Sequence, residues 1–209
     1  MLEMLLPNPT RKGIHMTTRV LFAGMDGAGK STLACSVYAV LKSWSIDVGL
    51  HELDVWSDTH DPILGRKPWG ERNKRGNDVR NYLAEEFAGA VDRFVTDERH
   101  SLIIGDLHGR WQMPDYRFWA GLTADWAVLV ERQPTVKDRL INSPQRIADW
   151  ERFLESFKIP IRLRVFSRLA GQSVPPGRFP VTDLDRQLCH ENPEVWQVAA
   201  AIMDEVGET

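Results

Sequence analysis

Cysteine is scarce in this 209-residue chain: Cys35 and Cys189 are the only two. They fit neither a metal-ligand spacing nor a disulfide framework, which excludes a stapled secreted scaffold and leads us to expect a reducing, cytoplasmic setting. Long apolar runs are missing as well. None approaches the roughly 20 residues that span a bilayer, so no membrane partner is expected. Charge of one sign is also lacking. A formal net charge of −3 gives no global attraction to anionic lipid or nucleic acid, and a long nucleic-acid substrate is not expected. There is no internal repeat and no low-complexity linker. What remains, 43% hydrophobic and 26% charged residues, suits one globular domain with a real core. The opening stretch MLEMLLPNPTRKGIHM has an apolar patch too short and too proline-flanked for a signal peptide. Residues 1–16 are therefore read as a mobile extension, and 17–209 as the single domain.

Short apolar runs alternate with helical periodicity along the rest. Strands are expected at Val20–Ala23, in DVGLHELDVW, in SLIIGD, in DWAVLVE and in RFPVTD. Between the first two, Leu33, Val37, Val40, Leu41 and Trp44 recur at helical spacing. A second helix, capped by Asn77, would carry Phe87, Ala90, Val91 and Phe94 on its apolar face. Pro134 suits the first turn of another helix. Arg146 to Ala170 reads as two helical patterns broken near Pro160. Asn192 and Pro193 open a last helix bearing Val195, Val198, Ala199 and Ile202. Asp58 to Gly76, rich in proline, glycine and charge, reads as an irregular loop. The fold class expected is α/β: three layers, α/β/α, around a mainly parallel sheet of about five strands. The strand ends, and the loops after them, then share one edge where ligands bind.

The strongest signal is VLFAGMDGAGKSTLA, Val20 to Ala34. Gly24 to Ser31 fits G-x-x-x-x-G-K-[ST] at every fixed position, between an expected strand and an expected helix. Bare backbone at Gly24, Asp26, Gly27, Ala28 and Gly29 lets N–H groups approach phosphate oxygens, and the helix N-terminus adds positive potential. Lys30 would neutralise β/γ-phosphate charge. The Ser31 hydroxyl would ligate Mg²⁺, with Thr32 beside it. Asp106 ends a buried apolar strand, where a carboxylate is costly without a task. It is expected to hold Mg²⁺ or to orient a phosphoryl acceptor. ATP and Mg²⁺ are the cofactors this pattern calls for.

With Asp26 inside it, GMDGAGKST resembles the phosphate loop of thymidylate kinases and their relatives among nucleoside monophosphate kinases. TADWAVLVERQPTVKDRL and SPQRIADWERF are similar to that family's late strand, arginine-bearing helix and lid. The resemblance implies a nucleotide-kinase fold with a helical lid over roughly 139–160. Arg139 and Arg146 would close on the transferred phosphoryl group, and Asp26 would reach toward the acceptor. It implies γ-phosphoryl transfer from ATP to a nucleotide or related small molecule, and it leaves room for a homodimer. Where that family carries Arg-Glu-Pro and Asp-Arg-Tyr, this chain has HELDVWSDTHDP and Asp106-Leu107-His108. The acceptor is therefore open. A hydroxyl acceptor such as a nucleoside or modified base is one alternative. A second is a GTPase-like switch, since Asp106-Leu-His-Gly109 fits D-x-x-G, although no Asn-Lys-x-Asp follows a late strand. GDLHGR also has the look of a metallophosphatase motif, but the further ligands such a site needs are missing. A basic loop around Arg66, Lys67 and Arg72 could grip an anion, and Trp56, Trp111 or Trp119 could stack on a base.

Overall fold

The computed structural model describes residues 17–53, 59–68, 84–107, 109, 119–132, 144–184 and 187–207. Six strands form its sheet: β1 (Thr18–Gly24), β2 (Val48–Glu52), β3 (Leu102–Asp106), β4 (Trp126–Arg132), β5 (Ile161–Arg168) and β6 (Phe179–Thr182). Their order is β2-β3-β1-β4-β5-β6, and every neighbouring pair is parallel. β1, β3 and β4 are buried almost end to end. Their unbroken Val, Leu and Ile runs reflect helices covering both faces.

Among the described residues five helices complete the three layers: α1 (Lys30–Ser43), α2 (His60–Ile63), α3 (Ala84–Thr96), α4 (Pro144–Ser156) and α5 (Pro193–Gly207). α1 packs on β1, β2 and β3 and also against α5. That double contact explains why Cys35 and Ser36 are buried along with the Leu33–Val37–Val40 face. α3 and α4 are joined through Trp119, which meets Phe87 edge-on at 5.4 Å and Phe153 at 6.3 Å. Trp119 is fully buried, so its role is packing and not base stacking. Trp56 and Trp111 lie outside the described residues.

One expectation is corrected: Ile161–Arg168 is a strand, β5, and not part of a helix, so the expected sheet of about five strands has six. Leu163, Val165 and Ser167 point inward with period two. Arg162 pairs with Glu205 at 3.0 Å, and Arg164 pairs with Glu131 at 2.9 Å. α4, which lies within the 139–160 stretch expected as a lid, seats Trp150, Phe153 and Leu154 in the core. Pro134, Arg139 and the Asn77 cap lie outside the described residues, as does the 1–16 extension. The loop expected from Asp58 contains α2, and Arg66 and Lys67 there pair with Asp61. Among the described residues, no helix is long and apolar enough to cross a membrane.

Candidate nucleotide site

The strand order brings the C-terminal ends of β2, β3, β1 and β4 side by side, at Glu52, Asp106, Gly24 and Arg132. The phosphate loop rises from β1 at the centre of this edge. Gly24 has no room for a side chain, since a Cβ would stand 2.3 Å from the Val130 carbonyl oxygen. Gly29 closes the loop at φ 83°, a left-handed conformation that opens α1 without a side-chain cap. No acidic residue occupies the first turn of α1. The positive helix end is therefore not neutralised by the chain itself, as an anion site requires. Asp26 and Gly27 are exposed, Gly29 and Ser31 are half-buried, and Ala28, Lys30 and Thr32 are buried. A bare loop with an uncapped helix start and a half-buried hydroxyl at Ser31 fits a triphosphate with Mg²⁺.

Neighbouring elements hold the loop from three sides. Arg132 at the end of β4 donates to the Gly27 carbonyl at 2.7 Å. Trp150 of α4 donates its indole N–H to the Met25 sulfur at 3.0 Å. The chain leaving β3 crosses the loop, and the Asp26 N–H donates to the Gly109 carbonyl at 2.7 Å. On the far side, Leu184, just after β6, lies against Gly29. Arg146 is half-buried one turn before Trp150 on α4, a spacing that puts the two on one face.

Asp106 is fully buried and accepts two bonds. Oδ1 takes the Lys30 ammonium, and Oδ2 faces His60 Nε2 at 3.0 Å. Burial alone would push this carboxyl up, but Lys30 and His60 together hold it well below the usual carboxylate range. Burial works against a charged His60 ring, yet its bond to Asp106 raises that ring above its ordinary value. Next to Asp106 in the ladder stands Glu52. Its Oε1 accepts from the Thr59 N–H at 2.8 Å and from the Thr59 hydroxyl, and Oε2 accepts from the His60 N–H at 3.4 Å. Burial pushes Glu52 up to about 7 despite these bonds. The same burial pushes the Cys35 thiol far above its usual range, so it is inert.

Of the expected site residues, Lys30 and Asp106 are brought into contact, and Ser31 follows Lys30 in the first turn of α1. His60 and Glu52 were not expected, because the stretch from Asp58 read as an irregular loop and Glu52 only as part of a strand. The sequence signal that could have found His60 is the D-x-H that Asp58 and His60 form. Among the described residues no cluster of three or more His, Cys, Asp or Glu could hold a metal.

A parallel sheet with the glycine-rich loop after β1, lysine and hydroxyl opening α1, and a carboxylate ending the adjacent strand define the P-loop NTPase fold. No family model and no curated protein matches the chain. Among solved structures it is similar to the MinD cell division protein of Aquifex aeolicus, at 19% identity over 73% of this chain and 70% of that one, TM-score 0.44. It is also similar to FlhF complexed with GMPPNP/Mg(2+), at 16% identity over 90% and 76%, TM-score 0.46. A third likeness is to the signal recognition particle receptor FtsY from Elizabethkingia anophelis, at 14% identity over 74% and 50%, TM-score 0.42.

Proposed function

We propose that this chain is a Mg²⁺-dependent P-loop nucleoside triphosphatase of the switch type, in which Asp106 to Gly109 reads the γ-phosphate. One observation carries this reading: the D-x-x-G segment lies directly on the phosphate loop, through the 2.7 Å bond from Asp26 N–H to the Gly109 carbonyl. A γ-phosphate held in the loop would sit against that segment, so its presence or loss would be felt in the chain leaving β3. Lys30 would draw charge from the β- and γ-phosphates, and the amides of Gly27 to Lys30 would hold their oxygens. Ser31 would hold Mg²⁺ directly and Asp106 through water. The ion would offset charge on the β/γ-bridging region. Water attack at phosphorus breaks the bond to the β-phosphate oxygen and releases inorganic phosphate and nucleoside diphosphate. Glu52 is the candidate proton acceptor, because a carboxyl near pH 7 is matched to that task. The sequence after β5 reads Leu169-Ala170-Gly171-Gln172, with no Asn-Lys-x-Asp to select guanine, so ATP is the proposed nucleotide.

The second reading keeps the kinase. The acidic rim favours a neutral hydroxyl acceptor, whose proton Glu52 would take. A nucleotide acceptor, as the thymidylate-kinase resemblance implies, would bring phosphate beside Glu52 and Asp106. The described cations there, Lys30 and His60, are already committed to Asp106. Self-association and a cytoplasmic setting belong to the same proposal. The test is phosphate release from ATP and GTP, with and without nucleosides and nucleoside monophosphates, in the wild type and Lys30→Ala. Acceptor-independent release that disappears in Lys30→Ala is expected. Turnover only with an acceptor present would move the assignment to a kinase.

A further inference from the structure

The Lys30 ammonium that a triphosphate needs is occupied by Asp106 in this structure. Moving it to phosphate takes the cation away from a fully buried carboxylate, which is costly unless another donor stays behind. Among the described residues, the other partner of that carboxylate is His60, 3.0 Å from Oδ2 and itself 6% exposed. His60 is anchored in turn. Glu52 receives its backbone N–H at 3.4 Å and that of Thr59 at 2.8 Å, which fixes the start of α2 on the end of β2.

We propose that His60 is a positioning residue that keeps the Asp106 carboxylate partnered and aimed while Lys30 passes from it to the triphosphate. The proposal rests on the reading of the loop as a triphosphate site. It requires no change in the charge of His60, since a neutral ring with its proton on Nε2 donates equally well. The bond from His60 is worth more once Lys30 has left, because Asp106 then has fewer partners. His60 and nucleotide binding are thereby coupled through Asp106 alone.

Calorimetry of ATP binding, with Mg²⁺ and with chelator, on the wild type, His60→Ala, His60→Gln, Asp106→Asn and the Asp106→Asn/His60→Ala double variant tests this. His60→Ala is expected to weaken binding about tenfold or more, and the loss is expected to be larger in chelator. His60→Gln, which keeps an N–H donor, is expected to recover most of it. In the Asp106→Asn background, His60→Ala is expected to change affinity by no more than about twofold, because Lys30 is no longer held by a charge. Wild-type affinity in His60→Ala, with melting curves verifying the fold, overturns the proposal. So does an equal loss in both backgrounds, which would mark a general structural role. Absence of ATP binding by the wild type would bring down the proposed function and this inference with it.

Discussion

Gly109→Ala probes the contact between the β3 exit and the phosphate loop with a single methyl group. A Cβ at that position would stand 2.7 Å from the Asp26 nitrogen, 2.8 Å from its Cα and 3.0 Å from the Met25 carbonyl carbon. All three are backbone atoms, so no rotamer relieves the overlap. Reaching ordinary contact near 3.4 Å means moving one backbone by roughly 0.7 Å. Overpacking of this kind costs about 1–3 kcal/mol. The bond from Asp26 N–H to the Gly109 carbonyl adds about 0.5–1.5 kcal/mol if it breaks. A total of about 1.5–4.5 kcal/mol corresponds to a melting point roughly 3–18 °C lower for a domain of this size. Because the displaced backbone belongs to the phosphate loop, affinity for Mg·ATP falls as well. Gly207→Ala is the control, since a Cβ there meets nothing within 4 Å. Thermal melting with and without Mg·ATP reads both effects. A Gly109→Ala variant that melts within about 1 °C of wild type and binds ATP equally would refute the reasoning, since it would mean the two segments do not touch.

Three further outcomes follow from the site and core. In the folded chain Glu52 holds a proton up to about pH 7 that the unfolded chain releases near 4.5. Stability therefore falls as pH rises through that window and stays lowered above it. Discounted for partial exposure, Glu52→Gln should gain about 1–2 kcal/mol on wild type between pH 4.5 and 8, as read by urea denaturation; parallel curves would exclude the shift. Asp106→Asn should cut turnover by about a hundredfold or more with little loss of ATP affinity, measured by phosphate release and calorimetry. Trp119→Ala should cost about 3–5 kcal/mol of stability in urea denaturation. ATP affinity of its folded fraction should stay unchanged, whereas a selective loss of affinity would restore a base-stacking role.

The phosphate loop was fully legible because its chemistry is local: bare backbone, lysine and hydroxyl must be adjacent in sequence to converge on one anion. Asp106 stood out because it ends a buried apolar strand, where a carboxylate is costly, and the structure sets it against Lys30 and His60. β5 was not. Ile161, Leu163, Val165 and Phe166 carry apolar residues at spacings that a helix also allows. Its charged positions gave no sign that Glu131, Glu151 and Glu205 would partner them across the fold. His60 and Glu52 were missed for a similar reason. Their pairing with Asp106 depends on β2 lying beside β3, which only the strand order reveals. Trp119 could not be sorted from the other tryptophans because burial is a property of the neighbours, here Phe87 and Phe153.

The most direct measurement is calorimetric titration of the purified chain with ATP and with GTP in the presence of Mg²⁺, repeated on Lys30→Ala. Saturable binding of one triphosphate per chain, abolished by the loss of the Lys30 ammonium, is the result this account requires. Uptake of neither nucleotide by the folded wild-type chain, or undiminished uptake by Lys30→Ala, would contradict it.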